Sequence, residues 1–88
     1  MSRIYRYVLK AVDVQDIEMS EGAQVIHVAA QFENICLWAV VDITRPIVKR
    51  RIGVIPTGMD FISEGTQYLG TAMLQGGNLV FHIFEKLT

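Results

Sequence analysis

Hydrophobic and polar positions alternate with a period of two through most of this chain, and that period belongs to β-strands. From Arg3 to Lys10, Tyr5, Tyr7 and Leu9 fall on one face while Ile4, Arg6, Val8 and Lys10 fall on the other. Gln15 to Met19 alternates again, and Ser20-Glu21-Gly22-Ala23 supplies a turn. In Gln24 to Phe32 the pattern puts Ile26, Val28, Ala30 and Phe32 on one face. Glu33-Asn34 breaks the run before Cys36 to Asp42, which is apolar at nearly every position and predicts a strand covered on both sides.

Thr44-Arg45-Pro46 interrupts the pattern, because proline has no N–H for a ladder. Extended character resumes from Ile47 to Ile55 with Lys49, Arg50 and Arg51 inside it, which predicts an exposed or edge strand. Pro56-Thr57-Gly58 breaks the run, and Met59 to Thr66 shows no period and is expected to be a loop with at most a helical turn. Tyr68 to Leu74 and Leu79 to Glu85 flank Gln75-Gly76-Gly77-Asn78, a hairpin signal. No segment carries the apolar stripe of an amphipathic helix. The expected fold is therefore all-β, a small antiparallel sandwich or barrel of six to seven short strands. Two hairpins organise it, Gln24 to Asp42 and Gln67 to Lys86, with Ile26, Val28, Phe32, Trp38, Val40, Leu79, Phe81 and Ile83 buried.

A length of 88 residues fits a single domain over 1–88. Small domains bury a modest share of their surface, yet 51% of these residues are hydrophobic and mean hydropathy is +0.32. The surplus predicts a homo-oligomer. A membrane is the competing destination, but Ile35 to Val41 is far shorter than the roughly 20 apolar residues a span needs. Arg6 stands where a signal peptide would be apolar, and a lone Cys36 permits no internal disulfide, so a cytoplasmic protein is expected. Eight Lys and Arg against nine Asp and Glu give net charge −1, which disfavours binding to duplex nucleic acid.

Chemistry-bearing residues are sparse. His27 and His82 lie on polar strand faces with no Cys or carboxylate at ligand spacing, so no metal and no cofactor is expected. Cys36 opens an apolar run and reads as a small core residue rather than a nucleophile. Trp38, Tyr5, Tyr7, Tyr68, Phe32, Phe81 and Phe84 keep strand periodicity, which favours core or interface over a base-stacking platform. Asp13, Asp16, Glu18 and Glu21 are explained by a charged face or turn. No catalytic pair is evident, so a non-enzymatic protein is expected.

The one charge concentration is Lys49-Arg50-Arg51 with Arg45 nearby and Thr57-Gly58 following. Arg45, Lys49, Arg50, Arg51, Thr57 and Gly58 thus form the candidate ligand site, an anion held by guanidinium forks and loop N–H groups. Protection of a strand edge accounts for the same run.

Several segments together resemble a known pattern: Arg3 to Tyr7, Gln15 to Met19, Gly22-Ala23, Cys36-Leu37-Trp38-Ala39-Val40-Val41-Asp42, Gly58, Tyr68-Leu69-Gly70-Thr71 and Gly76-Gly77-Asn78-Leu79-Val80-Phe81-His82-Ile83-Phe84-Glu85. Spread over nearly the whole chain, they resemble a small family of uncharacterised bacteriophage and bacterial proteins. Where that pattern often has histidine after Gly-Thr-Gly, this chain reads Pro56-Thr57-Gly58-Met59, so no role carries over to that loop. The resemblance brings no catalytic residues. It implies a phage setting, in which small cytosolic proteins block host defence by gripping a host protein or sequestering a nucleotide signal. The expectation is a binding protein whose target is a host or phage protein. The alternatives are capture of a cyclic nucleotide by a homo-oligomer, with Trp38 or Tyr68 stacking the base, and a structural role in assembly.

Overall fold

A computed structural model describes residues 1–87. It holds seven strands: β1 (Arg3–Leu9), β2 (Gln15–Ser20), β3 (Gln24–Gln31), β4 (Asn34–Val41), β5 (Ile47–Pro56), β6 (Thr66–Leu74) and β7 (Leu79–Lys86). Among the described residues helix is confined to a single 3₁₀ turn, Gln75–Gly77. All ladders are antiparallel, and the strands form two sheets, β1-β4-β3 and β2-β5-β7-β6. The all-β expectation therefore holds, as an open two-sheet sandwich rather than a closed barrel.

The core lies between the sheets. On the three-stranded side it takes Leu9, Val28 and the alternate β4 residues Ile35, Leu37, Ala39 and Val41. On the four-stranded side it takes Met19, Ile52, Val54, Ala72 and Ile83. The sheets approach most closely where β3 meets β6. A Cβ on Gly70 would lie 2.6 Å from the Cβ of Val28, so the missing side chain is what lets the two strands touch.

Of the eight residues expected inside, Val28 and Ile83 are buried, while Trp38, Val40 and Phe81 are half-buried. Ile26, Phe32 and Leu79 are exposed, each for a local reason. The β3–β4 register slips between Val25 and His27, so Ile26 is a bulge residue off the core face. Gln31 pairs with Asn34, leaving Phe32 and Glu33 as a two-residue turn with φ of 51° and 62°. That is the mirror-image turn of tight hairpins, and it carries Phe32 to the tip, 85% exposed. Leu79 pairs with Leu74 at the tip of the second hairpin and is likewise exposed.

The strand with the basic run is not an edge. β5 lies between β2 and β7, and the sheet edges are β1, β3, β2 and β6. Its charges are tolerated there because of the register. Lys49 stands opposite Glu18 and Arg51 opposite Asp16, so β2 supplies an acid for each outward cation.

Candidate functional site

Three regions of the surface carry side chains beyond what the core needs. The first is the basic run. Arg50 points inward, toward the end of the core. It donates through Nε and Nη2 to the Glu85 carboxylate, the latter at 2.8 Å, and through Nη1 to the Ala23 carbonyl oxygen at 2.7 Å. Only 19% of the Arg50 side chain and 9% of Glu85 is exposed. The Glu85 hydrogen bonds hold the guanidinium more firmly protonated than a free one, against the opposing effect of burial.

The other candidate residues scatter around Arg50. Arg51 and Lys49 occupy the opposite face of β5, and Arg51 lies 3.7 Å from Asp16. Arg45, in the β4–β5 connection, pairs with Glu21 at 3.5 Å. Thr57 and Gly58 lie past the far end of β5, about 23–26 Å along the chain from Arg50 at some 3.3 Å per strand residue. Lys49 and Arg51 are thus brought together on one face, and Arg45, Arg50, Thr57 and Gly58 are each elsewhere. An isolated sequence run cannot reveal this, because alternation on a strand sends neighbouring residues to opposite faces.

The second region surrounds His82. Thr57 Oγ1 lies 2.7 Å from His82 Nε2, Thr71 Oγ1 lies 3.1 Å from His82 Nδ1, and the Tyr68 hydroxyl lies 2.5 Å from Thr71 Oγ1. This chain of four polar side chains joins residues far apart in sequence, so no local motif announces it. Among the described residues, no group of three or more His, Cys, Asp or Glu side chains is arranged to hold a metal.

The third region is the outer face of β1-β4-β3. Since Ile35, Leu37, Ala39 and Val41 point into the core, Cys36, Trp38 and Val40 point out. The registers set Ile4 beside Val40, Arg6 beside Trp38 and His27, and Val8 beside Cys36 and Ala29. Ile4 is 61% exposed, and Val8 and Ile26 are each 50% exposed. The His27 and Trp38 rings stand 5.5 Å apart, and Arg6 reaches across the face to the Gln31 side chain. The prediction that β4 is covered on both sides holds for its inner face and for Cys36, which is fully buried. Trp38 and Val40 remain partly open to solvent.

In class this is a small antiparallel β-sandwich with one sheet face left apolar. The chain belongs to the family described as a domain of unknown function (DUF7352), whose model matches residues 1–88. No curated protein and no solved structure matches it.

Proposed function

We propose that the chain is a non-enzymatic interaction protein that docks on another protein through the outer face of β1-β4-β3. The observation that carries this reading is the row of Ile4, Val8, Ile26, Trp38 and Val40 left at the surface of a domain whose opposite sheet side already supplies the core. Water-facing apolar rows of this kind mark contact surfaces. A Trp at the centre is the residue type that anchors such contacts most strongly.

Charge specifies the partner. The outer face carries Arg6, the three strands contain no Asp or Glu, and Lys10 follows β1 directly. A partner with an apolar centre and an acidic rim complements that distribution. Size sets a further condition. Three strands of about seven residues span roughly 14 by 23 Å, which supplies the centre of a standard interface and not its whole area. The contact therefore extends past the strand ends, onto Lys10. In the phage setting implied by the sequence resemblance, a host protein is the natural partner, and blocking it is the natural consequence.

The test compares wild type with Ile4→Asp plus Val8→Asp, two exposed positions whose change leaves the core intact. Light scattering behind a sizing column reads self-association, and mass spectrometry of protein purified from its host cell reads retained polypeptides. The expected result is a polypeptide released by the double change and by raised salt. A homodimer dissolved by the same change would make a second copy the occupant. Retention unaffected by the double change would overturn the reading.

A further inference from the structure

On the far side of the molecule, the outer face of β2-β5-β7-β6 carries a cleft of about 240 Å³ that the interaction face does not involve. Its floor is Ile55 and the cross-strand pair of Gly53 and Phe84. One wall is Asp13 and Val14, from the connection after β1. The facing wall is Asp60, Phe61 and Ile62, from the connection between β5 and β6.

Both walls are built in place. A Cβ on Gly53 would lie 2.9 Å from the Asp13 carbonyl oxygen, so the first wall rests directly on the sheet where the side chain is missing. The second wall is clamped at its two ends. At one end the Thr57 N–H donates to Val80 O at 3.1 Å, and the Thr57 hydroxyl is held by His82. At the other, the Leu87 N–H donates to Gly65 O at 2.7 Å and the Thr66 hydroxyl to Ser63 O at 2.6 Å. Between the clamps the Phe61 ring packs at a tilt of 40° against Phe84, centroids 4.9 Å apart, and the Phe84 ring also meets Tyr68 with centroids 5.4 Å apart. Phe61 nonetheless stays 43% exposed and Ile62 77% exposed, so the aromatic wall faces open space.

The lining also has a sign. Asp13 and Asp60 stand on the two facing walls against Lys86 alone. Among the described residues the ion pairs are Arg45 with Glu21, Arg50 with Glu85 and Arg51 with Asp16, which leaves both aspartates without a cation. Ring faces beside uncompensated carboxylates attract an organic cation, through the ring quadrupole and the charge together. A volume just below the usual range for drug-sized ligands selects a small one.

We propose that this cleft binds a small aromatic amine, with its ring against Phe61 and Phe84 and its ammonium group between Asp13 and Asp60. The probe is phenethylamine, titrated into ¹⁵N-labelled protein and followed through backbone amide shifts, with 3-phenylpropionate as the anionic match. Saturable millimolar binding is expected, with the largest shifts at Gly53, Phe61 and Phe84 and at least threefold weaker binding of the anion. Asp60→Asn should weaken phenethylamine about threefold, and Phe61→Ala should weaken it tenfold or more. Both residues are exposed, so an unchanged urea midpoint verifies that each variant folds. Absence of saturable shifts, equal or tighter binding of 3-phenylpropionate, or shifts confined to other parts of the chain would overturn the proposal.

Discussion

Replacing Arg50 with methionine removes the cation from a carboxylate that has little water to fall back on. The Glu85 side chain is 9% exposed and takes its hydrogen bonds from Arg50. Breaking one side of such a pair costs about 3–5 kcal/mol, because the charge left behind is buried and unpaired. The Ala23 carbonyl loses its donor as well, which adds about 1 kcal/mol. At about 0.05–0.15 kcal/mol per residue, an 88-residue domain has some 4–13 kcal/mol in total, so Arg50→Met should remove a third of it or more. Arg50→Met combined with Glu85→Leu removes both charges and should recover to within about 2 kcal/mol of wild type. Arg51→Ala is the control. Its side chain is 58% exposed and its Asp16 partner 49% exposed, so the loss should stay below about 1 kcal/mol. Urea titration followed by fluorescence of Trp38, the single tryptophan, reads all three. With a slope of about 1–2 kcal/mol per molar, a loss of about 4–6 kcal/mol in Arg50→Met should lower the midpoint by about 2–6 M. A single variant as mild as Arg51→Ala, or a double variant as damaged as the single, would refute the view of Arg50 and Glu85 as one buried unit. The same logic disqualifies Arg50 as a probe of anion capture, since its loss destabilises the fold itself; Lys49 and Arg51 are the clean positions.

Phe32 sits at φ 51° in the β3–β4 turn, a conformation that costs a bulky L-residue about 1–2 kcal/mol and that asparagine tolerates. Phe32→Asn should therefore raise the urea midpoint by the equivalent of about 1 kcal/mol, and a lowered midpoint would mean that this exposed ring supports the fold. Asp42 accepts hydrogen bonds from the Thr44 hydroxyl and then the Thr44 N–H, and these hold its carboxyl below the ordinary value. A depressed value stabilises the fold above about pH 4, the unfolded value, and that contribution is lost as pH falls through the lowered one. Asp42→Asn should flatten the acid limb of stability against pH, and an unchanged limb would show that the Thr44 contacts do not hold in solution.

The seven strands and both hairpins were legible along the chain because period two, proline breaks and turn residues are local signals. Gly76 and Gly77 do take positive φ, 66° and 95°, as a hairpin signal there requires. Which residues face inward was less legible. A single extra residue in β3 reversed Ile26, and the two-residue turn converted Phe32 from strand to tip. The notion of β5 as an edge failed for a similar reason: nothing local to Lys49-Arg50-Arg51 shows that β2 brings Asp16 and Glu18 alongside, or that Glu85, 35 residues away, waits inside. The His82 chain and the Phe61–Phe84 cleft likewise unite residues from separate segments.

What the sequence determined by itself was the class of element and the number of strands to within one, since backbone propensity, alternation and turn chemistry act over a few neighbouring residues. Only the tertiary structure decided pairing, register and therefore facing. Those depend on which distant strands bury apolar area together, and a shift of one residue moves every following side chain to the other face. The apolar surplus was visible in composition, but its position on β1-β4-β3 was not: both faces of β4 read as apolar, and only the packing of the second sheet against one side of the first left the other partly open to water.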